Sequence, residues 1–163
     1  MMSFEQTLRA INEMKDEGVI EEYAIAGGMA LAFWVEAIPT YDLDVMVAMP
    51  QSASPLISLD AIYRWASAHG FVSDREHIVI SGVPVQFLPA HSDLAAEALS
   101  QAEKIEYGSI AARVVRPEYL VALYLEGSAR TQQRRERAVM LRDSGQIDLT
   151  LLQDVMQRFK LMF

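Results

Sequence analysis

The chain has 163 residues, a net charge of −8 and no cysteine; 52% of its residues are apolar and 22% charged. A length of this order suggests one domain, and chains of this size bury roughly 68–70% of their unfolded surface, enough for a core without staples. The lack of cysteine excludes disulfides and thiolate metal sites, and the acidic balance disfavours non-specific nucleic-acid binding.

Met1 to Asp16 lacks the basic and apolar regions of a signal peptide. The longest uncharged stretch, Tyr23–Val35, is too short to cross a bilayer. A cytoplasmic protein without membrane contact is expected.

Ser3-Phe4-Glu5-Gln6 reads as a capping box, after which Phe4, Leu8, Ile11 and Met14 recur at helical spacing until Gly18. Tyr23–Ala26 is a short strand-like run that reaches Gly27-Gly28, and Met29–Glu36 reads as a helix broken by Pro39. Leu43–Ala48 reads as a strand, Pro50–Pro55 as a Ser- and Pro-rich loop, and Leu59–His69 as a helix that stops at Gly70. His77–Ile80 and Val83–Leu88 form a hairpin around Ser81-Gly82. A helix over Asp93–Ala102, capped by Ser92 or Asp93, and a strand over Ala111–Val115 follow. Pro117 opens a mostly helical remainder, in which Gly145 separates the Arg130–Arg142 segment, with five arginines, from a last helix over Leu149–Phe159.

This order predicts an α/β (α+β) fold, a small mixed sheet packed by helices. Residues 1–92 would form the core, and residues 93–163 a mainly helical C-terminal part of the same domain.

The chemistry concentrates in two segments. In the first, a strand ends in Gly27-Gly28 and a helix begins at once; glycines there let backbone N–H groups approach a ligand, and a helix N-terminus favours an anion. In the second, Asp42-Leu43-Asp44-Val45 opens a strand, so Asp42 and Asp44 share one face while Leu43, Val45 and Val47 take the other. Two carboxylates about 6 Å apart repel by roughly 3 kcal/mol at an effective dielectric near 20. A bound Mg²⁺ removes that repulsion, and Mg²⁺ binds through one or two carboxylates plus substrate phosphates.

An apolar residue, Gly27-Gly28, thirteen intervening residues and Asp42-Leu43-Asp44-Val45 together resemble the signature of the nucleotidyltransferase superfamily, whose fold is shared with DNA polymerase beta. The pattern is similar above all to small bacterial members, including toxin-type nucleotidyltransferases of abortive-infection systems. Gly82–Pro89 and Arg116–Leu123 stand where such proteins have their hairpin and first C-terminal helix. The resemblance implies that Gly27 and Gly28 hold phosphates and that Asp42 and Asp44 bind Mg²⁺ or Mn²⁺. It also implies a nucleoside triphosphate as substrate, an RNA or protein acceptor, and a partner protein or a homo-oligomer.

The chain departs from the family pattern at three places. Gln86 stands where active members have a third carboxylate, Thr131-Gln132-Gln133 follows Arg130 where toxin-type members have a Lys-Asp pair, and Ile38 takes the place of an arginine. The hairpin offers a substitute. With Ser81-Gly82 as a two-residue turn, Ile80 opposes Val83 and His77 opposes Gln86. Ile78, Ile80, Val83, Val85 and Phe87 then share one apolar face, and His77 joins Gln86 on the other, where it could replace the missing acid as base or ligand.

Simpler roles stand beside these. Gly27-Gly28 could serve turn geometry alone, Asp42 and Asp44 could merely open a strand, and His77 could be a partly exposed strand residue. His69 suits a helix C-terminus and His91 a loop. The arginine-rich segment is either a salt-bridged helix face or a phosphate contact, and Phe33, Trp34 and Trp65 suit the core. Two functions are therefore expected to compete: transfer of a nucleoside monophosphate from a nucleoside triphosphate to an acceptor, or a catalytically degenerate nucleotide-binding protein, such as one half of a toxin–antitoxin pair.

Overall fold

In the computed structural model, which describes residues 3–35, 42–51, 58–126 and 131–163, the Ser3 hydroxyl accepts the backbone N–H of Gln6 at 3.3 Å and starts helix α1 (Phe4–Asp16). Leu8, Ile11 and Met14 are fully buried, as the helical spacing requires, and Gly18 stops the helix at φ +78°. Glu36, Ile38, Pro39, Thr40, Tyr41, residues 52–57 and Arg130 lie outside the described residues.

The further helices are α2 (Gly27–Trp34), α3 (Asp60–Ala68), α4 (Asp93–Ser100), α5 (Pro117–Leu125), α6 (Gln132–Arg142) and α7 (Leu149–Arg158). The strands are β1 (Glu22–Ala26), β2 (Leu43–Ala48), β3 (Val72–Asp74), β4 (His77–Ile80), β5 (Val83–Pro89), β6 (Glu103–Tyr107) and β7 (Ile110–Val114), in one sheet of order β3-β4-β5-β2-β1-β7-β6. β1 and β2 pair antiparallel, while β2 with β5 and β1 with β7 pair parallel, so the sheet is mixed.

β1 and β2 lie in the middle and read as apolar runs because both of their faces are covered. α1 lies against β4 and β7, and α3 against β3 and β4; α2 and α4 lie over β1 and β2, with α5 behind them. The β4–β5 register agrees with the sequence: Ser81 (φ 52°) and Gly82 (φ 83°) form the turn and Ile80 opposes Val83. Ile78, Ile80, Val83, Val85 and Phe87 are all buried on the expected face.

Among the described residues of 93–163, α4 to α7 are the helices, and β6 and β7, within residues 103–114, complete the core sheet. β7 falls within one residue of expectation, but β3 and β6 have no counterpart in the sequence pattern. Both are edge strands whose residues are mostly exposed, so neither carries the apolar alternation that marks a half-buried strand. α5 is buried nearly all round and forms the hub against which α6 and α7 pack. Trp65 is buried as expected; Phe33 and Trp34 are only partly covered, and the Trp34 indole donates to the Val115 carbonyl at 2.8 Å. Among the described residues no helix is long and apolar enough to cross a membrane.

A bidentate ion pair fastens α7 to α4. Arg158 donates to both Glu97 carboxylate oxygens at 2.8 and 2.7 Å, and the Tyr119 hydroxyl donates to the same carboxylate at 2.7 Å. The Arg158 hydrogen bonds, followed by that of Tyr119, hold the Glu97 pKa down at about 2, below its ordinary 4.5. Because the folded value is the lower one, this contribution is complete above pH 4.5 and is lost as the pH falls towards 2. Glu97→Gln is therefore expected to lower the thermal midpoint at pH 7, with the difference from wild type narrowing below pH 4.5. Melting curves followed by circular dichroism across this range test it; a difference independent of pH would contradict it.

Candidate functional site

The site forms where β1 turns into α2. Gly27 adopts φ +61°, a conformation that costs an L-residue about 1–2 kcal/mol, and it lets the chain leave the strand and enter the helix without a connecting loop. The helix thus starts at Gly27, two residues before the expected Met29, because the glycines form its first turn. Ala26 stands at the N-cap, so no side chain caps the first N–H groups of α2.

Asp44 is packed directly against this bend. It pairs in register with Ala26, and a Cβ on Gly27 would lie 2.3 Å from its Oδ2 and 3.2 Å from its Cβ. The carboxylate and the uncapped helix turn therefore face one another with no room for a side chain between them. Burial raises the pKa of Asp44, and the charge of Asp42 raises it further; His77 and Arg137 act in the opposite direction.

Asp42 is the exposed member of the pair. Its Oδ2 lies 3.5 Å from His77 Nε2, and His77 Nδ1 lies 3.7 Å from Glu76 Oε1. His77 is only 20% exposed, whereas Asp42 is 54% exposed. On β5, Gln86 sits in register beside Asp44, and since Ile78 opposes Val85, His77 comes next to Gln86 on that face. The structure thus brings Gly27, Asp42, Asp44, His77 and Gln86 to one end of one sheet face.

Two contributors were not identified from sequence. Tyr124, at the end of α5, and Arg137, on α6, both lie within electrostatic reach of Asp44. The arginine-rich segment signalled cations, yet only helix packing shows which of them acts on Asp44.

The remaining histidines stand elsewhere. His69 Nδ1 lies 2.7 Å from the Trp65 carbonyl at the end of α3, and His91 Nδ1 lies 2.9 Å from the Pro89 carbonyl. Glu13, Glu17 and His69 bring ligand atoms within 4.8 Å of one another, all exposed, on the α1–α3 side of the molecule.

Solved structures share this architecture. An antigenic nucleotidyltransferase-like protein from Paracoccidioides brasiliensis superposes with a TM-score of 0.55 at 14% identity, covering 96% of this chain and 90% of that one. The chain has the nucleotidyltransferase fold. The antibiotic-resistance factor ANT(2'')-Ia matches in solution with a TM-score of 0.51 at 14% identity, over 98% of this chain and 93% of its own. Its crystal structure in complex with adenylyl-2''-tobramycin matches with a TM-score of 0.50, again at 14% identity, over 96% and 99%. At these identities the likeness is one of fold. No family model matches the chain, and no curated protein matches it.

In this nucleotidyltransferase fold the Gly27–Asp44 contact leaves no room for a Cβ at residue 27. Gly27→Ala is expected to destabilise by about 1–2 kcal/mol through backbone strain alone, and by more through the overlap with Oδ2. In an Asp44→Ala background only the backbone part and a tight contact with the residue-44 Cβ should remain. Urea denaturation of the four proteins of this double-mutant cycle measures the coupling; additive effects would show that the two residues do not press on each other.

Proposed function

We infer that this chain is a metal-dependent nucleotidyltransferase, moving a nucleoside monophosphate from a nucleoside triphosphate to a hydroxyl acceptor. The observation that carries this reading is the packing of Asp44 against the Gly27 bend, with Asp42 and His77 on the same face. The fold it shares with ANT(2'')-Ia supports it.

The donor set fits Mg²⁺ or Mn²⁺. Two carboxylates, one of them with its pKa raised by burial and by its neighbour, form a pair that a hard cation stabilises, and the Gln86 amide adds a neutral oxygen beside them. Asp42 and Asp44 would hold the ion, which would supply charge neutralisation for the triphosphate and the pair alike.

The chain's own residues account for the rest. The uncapped N–H groups at Gly27 and Gly28 orient phosphate oxygens at the start of α2. The acceptor oxygen attacks the α-phosphorus as the bond to the pyrophosphate oxygen breaks, and pyrophosphate leaves. With its Nδ1 towards Glu76, His77 takes the acceptor proton on Nε2, and the Asp42 carboxylate 3.5 Å from that nitrogen stabilises the charge it gains; it fills the role for which Gln86 has no ionisable group. The adenylyl-2''-tobramycin in the ANT(2'')-Ia crystal belongs to that protein. For this chain the acceptor is to be sought among RNA, protein and small hydroxyl compounds.

Gln86 beside Asp44 supports a second reading, a protein that binds the nucleotide without transferring it, as in a regulatory or toxin–antitoxin pair. One experiment separates the two. Mg²⁺ with a nucleoside triphosphate is expected to raise the melting temperature of wild type but not of Asp44→Asn, and labelled nucleotide is expected to enter an acceptor with release of pyrophosphate. Stabilisation without any product would favour the second reading.

His77→Ala provides a separate check. Steady-state kinetics should show kcat lowered about a hundredfold or more with nucleotide affinity nearly unchanged. Unchanged turnover would remove His77 from the mechanism.

A further inference from the structure

A second group of ligating side chains stands where the ends of α1 and α3 meet. Glu13 in the last turn of α1, Glu17 at its C-cap and His69 at the C-cap of α3 each bring a ligand atom within 4.8 Å of the other two. None of them belongs to the Asp42–Asp44 pair or to the strands around it.

The imidazole is set up as a ligand. Its Nδ1 lies 2.7 Å from the Trp65 carbonyl, an oxygen that can only accept, so the proton of the neutral ring sits on Nδ1 and Nε2 keeps its lone pair. The Trp65 ring stacks on the imidazole with 3.7 Å between centroids, and the same indole donates from Nε1 to Glu17 Oε2 at 3.3 Å. One buried tryptophan thus holds two of the three side chains from behind, as the outer shell of a metal site does.

The local charge favours a cation. Glu13 and Glu17 stand four residues apart, a like-charged spacing that destabilises a helix, and both sit at its negative end. The C-terminal end of α3 adds a second negative pole at His69. Lys15, the basic residue of the last turn of α1, pairs with Glu22 at 2.9 Å instead. Among the described residues no ion pair includes Glu13 or Glu17.

An imidazole nitrogen beside two carboxylates selects the ion. Mg²⁺ and Ca²⁺ favour oxygen throughout, whereas Zn²⁺ takes nitrogen and oxygen together. Zn²⁺ ligands at about 2.0–2.2 Å from the ion stand about 3.3–3.5 Å apart in a tetrahedron. The three side chains are exposed, so small torsional changes bring them to that spacing, and water takes the fourth position.

We propose that Glu13, Glu17 and His69 form a Zn²⁺-class metal site that clamps the end of α1 to the end of α3. The site is independent of the transferase reading and of the ion that reading places at Asp42 and Asp44.

The test titrates Zn²⁺ into the whole chain by calorimetry, without nucleotide. Wild type is compared with Asp44→Asn, which disables the strand-mouth pair, and with Glu13→Gln and His69→Gln, each made in the Asp44→Asn background. Melting curves without metal show that each variant folds. Asp44→Asn is expected to retain one Zn²⁺ site and to melt higher with the metal. Added Glu13→Gln or His69→Gln is expected to weaken that site at least about tenfold and to shrink the melting shift. Without metal, Glu13→Gln removes a like charge from an exposed helix turn and should cost no stability, so it carries the test even if His69→Gln does not fold. Zn²⁺ binding that disappears in Asp44→Asn overturns the proposal, because the ion would then sit at the strand mouth. So does binding that neither added substitution weakens, and so does the absence of binding by wild type. Displacement of the retained Zn²⁺ by equimolar Mg²⁺ would overturn the choice of ion.

Discussion

Everything at the site depends on one close contact, that of the Asp44 carboxylate against the backbone of Gly27. A glycine in the left-handed conformation lets β1 enter α2 without a loop, and the absence of a side chain lets a carboxylate lie directly over that turn. The contact couples two features of opposite preference. A helix start with free N–H groups attracts anions, and a pair of carboxylates attracts cations. Their juxtaposition suits neither ion alone as well as a metal–phosphate complex, in which both charges are present.

The surrounding fold holds this contact in place. β1 and β2 occupy the middle of the sheet, so the strand mouths that carry Ala26 and Asp44 are fixed by pairing on both sides. β4 and β5 bring His77 and Gln86 to the same face, and Tyr124 on α5 and Arg137 on α6 lie within electrostatic reach of Asp44. Gln86 brings an uncharged amide beside Asp44, and His77 brings an imidazole to the same face.

Much of this is legible in the sequence, for identifiable reasons. Strand alternation put Asp42 and Asp44 on one face, and the Ser81-Gly82 turn set the β4–β5 register from which the position of His77 follows. These features depend on local geometry with a period of two. Edge strands did not declare themselves: Val72-Ser73-Asp74 and Glu103–Tyr107 are mostly solvated and carry charges in place of an apolar stripe. Tyr124 and Arg137 were hidden for a different reason. Their convergence on Asp44 is set by how α6 lies against α2 and α5, which no spacing along the chain encodes. The Asp42–His77 contact was anticipated only as a shared face; its 3.5 Å separation required the fold.

The most direct measurement is a crystal structure of the chain soaked with Mn²⁺ and a non-hydrolysable nucleoside triphosphate, with the ion located by its anomalous signal. The ion is expected between Asp42 and Asp44, with the triphosphate against the Gly27-Gly28 turn. An ion held elsewhere, for example by Glu13, Glu17 and His69, with no nucleotide at that turn, would contradict it.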